Sequence, residues 1–177
     1  FRISPFSFFQ TNTLAAELLY SGIRAWVDEI RPKTLYDLYG GAGGIAFSCA
    51  DLVENAVSVE NVESAAEDGK HNAEVNGIGN VRFVMAKVED FLRSDDSPAP
   101  DAAILDPPRA GVHPKVLRAL ADRPPARLLY VSCKPSVFAK EIPALLEAYR
   151  IDSMHAYDLF PHTDHVENVV SMTLGGV

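Results

Sequence analysis

The chain alternates between short apolar runs of strand character and longer segments with helical periodicity. Residues 11–30 (T-N-T-L-A-A-E-L-L-Y-S-G-I-R-A-W-V-D-E-I) place Leu14, Leu18, Ile23, Trp26 and Val27 roughly on one stripe, which predicts a helix. A strand follows at T-L-Y-D-L-Y (34–39), then a glycine loop and a helix over about 44–52. A second strand, A-V-S-V-E (56–60), leads into a polar helix that stops at Asn76-Gly77. The same unit recurs at V-R-F-V-M (81–85), A-A-I-L-D (102–106) and R-L-L-Y-V-S-C (127–133), each run being followed by helical sequence. The chain closes with I-D-S-M-H-A-Y-D-L-F (151–160), a turn at P-H-T-D, and V-E-N-V-V-S-M-T-L (166–174).

Strands alternating with helices imply a parallel sheet covered on both faces. Only a few residues join the last two strands, too few for a crossover, so that pair must be antiparallel. The expected architecture is a mostly parallel, seven-stranded Rossmann-like sheet with an antiparallel last strand, as in class I S-adenosylmethionine-dependent methyltransferases. Fold alone does not establish function. The polar stretch S-D-D-S-P-A-P (94–100) reads as a surface loop, so residues 1–177 form one domain.

Composition narrows the setting. The 177 residues are 47% hydrophobic, enough for a sizeable core. No apolar stretch has the length of a bilayer span, and the start lacks a signal-peptide pattern, so no membrane partner is expected. Two cysteines, Cys49 and Cys133, make neither a disulfide framework nor a metal site, which suggests a reducing, cytoplasmic location. The net charge of −8 shows no basic stripe, which argues mildly against nucleic acid as a partner of this segment.

The loop D-L-Y-G-G-A-G-G-I-A has Asp37, Gly41 and Gly43 in the spacing D-x-x-x-G-x-G. Glycines directly after a strand let backbone approach a ligand and turn sharply into a helix. Glu60 closes the next strand, where a carboxylate can accept both hydroxyls of a ribose. The rival is a nicotinamide dinucleotide, because G-A-G-G-I-A also matches G-x-G-x-x-A. Asp37 would repel a diphosphate but attract a sulfonium cation, which places a methyl donor ahead.

Ligands of open parallel sheets bind beyond the carboxyl ends of the strands. Asp37, Tyr39, Glu60, Lys87, Asp106 to Arg109, Ser132 and Cys133 stand at those ends. The reversed last strand begins at the same edge, bringing His165 and Glu167 toward Cys133. A thiol, a carboxylate and a methyl-donor site on one rim suit methylation at carbon 5 of uracil. Carbon 5 is a poor nucleophile until a thiolate adds to carbon 6, and a base must then remove the carbon-5 proton so that the thiol can leave. Lys134 and nearby donors are expected to favour the thiolate.

The motifs S-P-x-S-F-F-Q-T-N-T (4–13), D-L-Y-G-G-A-G (37–43), S-V-E (58–60), D-P-P-R-A-G (106–111), Y-V-S-C-K-P (130–135) and D-L-F-P-H-T-D-H-V-E (158–167) resemble the RNA uracil-5-methyltransferase family along the whole chain. That resemblance implies Cys133 as nucleophile and Glu167 as proton-abstracting base. It assigns S-adenosyl-L-methionine to Gln10, Tyr39, Gly44, Glu60 and Asp106, and the substrate nucleotide of a ribosomal or transfer RNA to the neighbourhood of Arg109. It implies no metal in this chain, and an RNA-gripping barrel that belongs to a region outside it. Three departures from the family pattern touch four positions: Lys134 replaces asparagine, Gly40 and Gly44 replace cysteine and threonine, and Lys87 stands where a polar or acidic residue is usual.

Other readings stay open. The Asp106-Pro-Pro turn also suits an amino-group methyltransferase, and the departures leave room for a cofactor-binding domain without catalysis. Cys49 reads as core. His162 and His165 are a weak zinc signal, and Phe6, Phe8 and Phe9 are candidates for stacking a flipped base.

Overall fold

The computed structural model describes residues 1–4, 12–94, 97, 99–163 and 166–175. Seven strands form one sheet: β1 (Thr34–Leu38), β2 (Asn55–Glu60), β3 (Val81–Met85), β4 (Ala102–Leu105), β5 (Arg127–Ser132), β6 (Tyr149–Tyr157) and β7 (Glu167–Leu174). Their spatial order is β3-β2-β1-β4-β5-β7-β6. Pairings among β1 to β5 are parallel, while β7 runs antiparallel to both β5 and β6. The order reverses between β1 and β4, the switch point beside which ligands of open parallel sheets bind.

Among the described residues six α-helices accompany the sheet: α1 (Thr13–Ile30), α2 (Gly44–Cys49), α3 (Glu63–Val75), α4 (Val88–Phe91), α5 (Pro114–Asp122) and α6 (Pro135–Leu145). Strands covered on both faces read as unbroken apolar runs, and β4 is buried at every residue. Alternation along β1 divides the core. Tyr36 and Leu38 join the cluster containing residues of α4, α5 and α6, whereas Leu35 joins that of α1. Asp37 shares the face of Leu35. Cys49 is fully buried in that second cluster.

The expected stripe of α1 is corrected in its first half. Leu14 and Leu18 are 76% and 66% exposed, and the buried residues are Ala16, Leu19, Ile23, Trp26 and Val27. Leu18 stands five residues before Ile23, about 140° round the helix, whereas Leu19, Ile23 and Trp26 keep to one face. Asn12 caps the helix, accepting from the Ala15 amide at 3.3 Å and donating to the Leu159 carbonyl at 2.9 Å. Its side chain thereby fastens the start of α1 to the segment after β6.

Two fully buried polar residues of α3 hold the first residues of the chain. Asp68 accepts from the Ser4 amide at 2.5 Å and from the Arg2 guanidinium at 2.6 Å, and Asn72 accepts from the Arg2 amide at 2.6 Å. Among the described residues no helix is long and apolar enough to cross a membrane.

Candidate active site

β1 delivers Asp37 to the switch point. Its Oδ2 accepts from the Ala46 amide at 3.2 Å and from the Ser58 hydroxyl at 3.4 Å, and its Oδ1 has no partner among the described residues. Burial, before any neighbouring charge, pushes this carboxyl up to about 7. The chain then turns through Tyr39, Gly41 and Gly43, all at positive φ. Gly43 is required twice over, because its φ is 88° and a Cβ there would lie 2.6 Å from the Phe83 ring. The two glycines that depart from the family pattern have their side-chain space taken by neighbouring hydroxyls. A Cβ on Gly40 would fall 2.0 Å from Ser58 Oγ, and one on Gly44 would fall 2.9 Å from the Tyr20 hydroxyl.

Glu60, at the end of β2, spans two loops. It accepts from the Gly41 amide at 3.0 Å and from the Val62 amide at 2.7 Å. Beside it a cavity of about 360 Å³ is lined by Tyr39, Val59, Ala86, Val88, Pro108 and Val112, among others. Lys87 is on the wall of this cavity with an exposed side chain.

β4 ends at Leu105, so Asp106 opens the following loop, its amide donating to the Leu38 carbonyl. Burial first, then the charges of Glu167 and Asp37, push its carboxyl up to about 8. Glu141 of α6 braces this loop, accepting from the Val112 amide at 2.8 Å and the Tyr130 hydroxyl at 2.5 Å. A Cβ on Gly111 would collide with the Glu141 carboxylate at 2.0 Å, so the loop packs this closely only because that residue is glycine.

β5 and β7 bring the thiol and the last carboxylate together. The β5–β7 ladder ends at Ser132 and Asn168, so Cys133 follows it and Glu167 precedes it at the same end of the sheet, near enough for the Glu167 charge to act on the thiol. Glu167 is 7% exposed, and its Oε2 has no partner among the described residues. Burial raises the Glu167 carboxyl, and Arg109 opposes the rise. The half-buried Cys133 thiol is raised by burial, then by Glu167 and Asp106, with Arg109 acting against them. This corrects the part expected of Lys134. That side chain is exposed, and the cation acting on the thiol is Arg109, from the neighbouring loop.

Asp37 and Asp106 thus place acidic side chains at the switch point, with the charge of Glu167 reaching Asp106 from β7, and Asp37 and Glu167 each keep a buried oxygen with no partner among the described residues. Carboxylates driven up by burial and mutual repulsion fit a ligand that carries positive charge and hydrogen-bond donors, as a sulfonium amino acid does. Of the expected site residues, Tyr39, Gly44, Glu60, Asp106, Cys133 and Glu167 all stand on this rim. Gln10, Phe6, Phe8, Phe9 and His165 lie outside the described residues, and His162 is exposed. Among the described residues no group of three histidines, cysteines or carboxylates forms a metal-binding set. The sequence reading missed Tyr20, Ser58 and Glu141. Tyr20 lies in an apolar stretch and reads as packing, and the contacts of the other two reach residues 11 to 30 positions away.

The sheet order and the rim define a class I methyltransferase fold, and comparison with known proteins makes the class more specific. The chain belongs to the tRNA (uracil-5-)-methyltransferase family, whose model matches residues 1–174. It is 41% identical over 170 residues to an uncharacterized RNA methyltransferase of Caldanaerobacter subterraneus, covering 96% of this chain and 38% of that protein. Identity to a like-named protein of Chlorobaculum tepidum is 45% over 177 residues, covering 96% and 36%. The chain therefore spans little more than a third of these relatives. Among solved structures, the Pyrococcus abyssi tRNA (uracil-54, C5)-methyltransferase in complex with S-adenosyl-L-homocysteine superposes with a TM-score of 0.82 at 34% identity, over 97% of this chain and 41% of that one. An N-methyltransferase, NodS of Bradyrhizobium japonicum, shares the fold alone, at 8% identity and a TM-score of 0.75.

Proposed function

We propose that this chain is the catalytic domain of an RNA methyltransferase that uses S-adenosylmethionine to methylate carbon 5 of a uridine in transfer or ribosomal RNA. One observation supports the reading: the β5–β7 ladder ends one residue short of both Cys133 and Glu167, so the two meet at the sheet edge that also holds Asp37, Glu60 and Asp106. The cofactor supplies an electrophilic methyl group. Glu60 suits the ribose, the cavity beside Tyr39 and Val88 suits the adenine, and the acidic switch point suits the charged end.

The Cys133 thiolate adds to carbon 6 of the uracil, and the resulting enolate attacks the methyl group from carbon 5. Glu167 takes the carbon-5 proton, and the electron pair of that C–H bond re-forms the 5,6 double bond as the thiolate leaves. Arg109 supports both acidic groups. It lowers the thiol and steadies the ionised form of Glu167 that accepts the proton. The negative net charge of this segment agrees with an RNA grip supplied from elsewhere in a longer protein.

The test uses RNA containing 5-fluorouridine, whose fluorine cannot be removed as a proton is. Wild-type enzyme with cofactor should form a covalent complex that survives denaturing electrophoresis. Cys133→Ala should form none, and a complex formed by that variant defeats the assignment. Label recovered on an exocyclic nitrogen would move the protein to the amino-group class.

A further inference from the structure

We propose that Tyr20 is a cofactor-binding residue, its hydroxyl donating a hydrogen bond to the carboxylate at the amino-acid end of the methyl donor. This rests on the S-adenosylmethionine reading of the rim. Tyr20 belongs to α1, yet its hydroxyl reaches the turn from the glycine loop into α2, 2.9 Å from where a Cβ on Gly44 would be, with Cζ at 3.5 Å. The phenol also feels the charges of Asp106 and Asp37, so it stands near the ends of both β4 and β1. It makes no hydrogen bond among the described residues, although a half-buried tyrosine hydroxyl normally has a partner.

The ligand explains why a phenol suits this place. A methyl donor brings a sulfonium and an amine, which the acidic switch point welcomes, but also a carboxylate that Asp37 and Asp106 repel. A neutral donor is needed beside the acids, and burial with those same two charges pushes the Tyr20 hydroxyl up to about 12, so it keeps its proton. Gly40 offers an internal parallel, because the space its side chain would fill is held by the Ser58 hydroxyl. Gly44 is then part of the device: the loop gives up a side chain, and α1 supplies the polar group.

Calorimetry on the wild-type chain and on Tyr20→Phe tests this with two ligands, S-adenosylhomocysteine and 5′-methylthioadenosine, the second lacking the amino-acid portion. Tyr20→Phe should weaken S-adenosylhomocysteine about 10- to 100-fold, as expected for a lost hydrogen bond to a charged group, and leave methylthioadenosine unchanged. Gly44→Ala should weaken S-adenosylhomocysteine in the wild-type background by displacing the hydroxyl, and add nothing further once Tyr20 is Phe. Undiminished affinity in Tyr20→Phe overturns the proposal, as do an equal loss for both ligands and additive effects of the two substitutions. Failure of the wild type to bind S-adenosylhomocysteine instead overturns the cofactor reading, and this proposal with it.

Discussion

Replacing Asp37 by Asn should make the ligand-free protein more stable above neutral pH while weakening its hold on the methyl donor. In the folded chain this carboxyl sits at about 7 against 3.8 for an unperturbed one. The folded state therefore binds the proton more tightly, and stability is lost as pH rises from about 4 through about 7. At pH 8 the ionised, buried carboxylate costs about 4 kcal/mol relative to the unfolded chain, and about 3 kcal/mol of that accrues between pH 5 and 8. Asn keeps an acceptor for the Ala46 amide and Ser58 hydroxyl and carries no charge. Urea unfolding of both proteins at pH 5 and pH 8 measures the difference. With a slope of about 2 kcal/mol/M, the wild-type midpoint should fall by at least about 1 M more than that of the variant across the interval. Parallel pH profiles would show that Asp37 is not held at an electrostatic cost, and the account of a rim awaiting a cation would fail. Cofactor affinity supplies the counterpart: it should weaken in Asp37→Asn and, in the wild type, strengthen as pH rises through 7.

Glu167→Gln should add to carbon 6 and transfer the methyl group yet stall before elimination, so a covalent complex should accumulate on RNA containing ordinary uridine; product release at the wild-type rate would dismiss Glu167 as the base. The pH midpoint for alkylation of Cys133 should lie above the ~8.5 of an ordinary thiol in the ligand-free chain, and Arg109→Gln should move it higher; a shift downward would contradict the role given to Arg109. Glu141→Ala leaves the Val112 amide and the Tyr130 hydroxyl without their acceptor, for a loss of about 2–4 kcal/mol in urea unfolding; a loss under about 0.5 kcal/mol, typical of plain surface changes, would show that the brace is dispensable.

The succession of strands and helices was readable because parallel strands buried on both faces are apolar throughout, as Ala102–Leu105 and Leu128–Val131 are. The convergence of Cys133 and Glu167 was readable for a topological reason, since a reversed last strand must begin where its parallel neighbours end. The α1 stripe was half misread because Leu14 and Leu18 satisfy an i, i+4 spacing on the wrong side of the helix. Lys134 misled through adjacency. A residue next to the nucleophile in sequence is exposed, while the effective cation, Arg109, comes from another loop. Tyr20, Ser58 and Glu141 were invisible because their contacts join separate elements, and no local pattern encodes what fills the space above a glycine.

The ladder between β5 and β7, six residue pairs long, ends just before Cys133 and just after Glu167 and so carries both to one end of the sheet. Conservative apolar substitutions along those buried strands leave the register, and so the meeting of the two residues, unchanged. Inserting a single residue between Glu167 and the paired positions of β7 would instead turn Glu167 to the opposite face of the sheet. Drift at this locus should therefore tolerate conservative apolar changes and reject one-codon indels, an asymmetry that saturation libraries of β7 would expose.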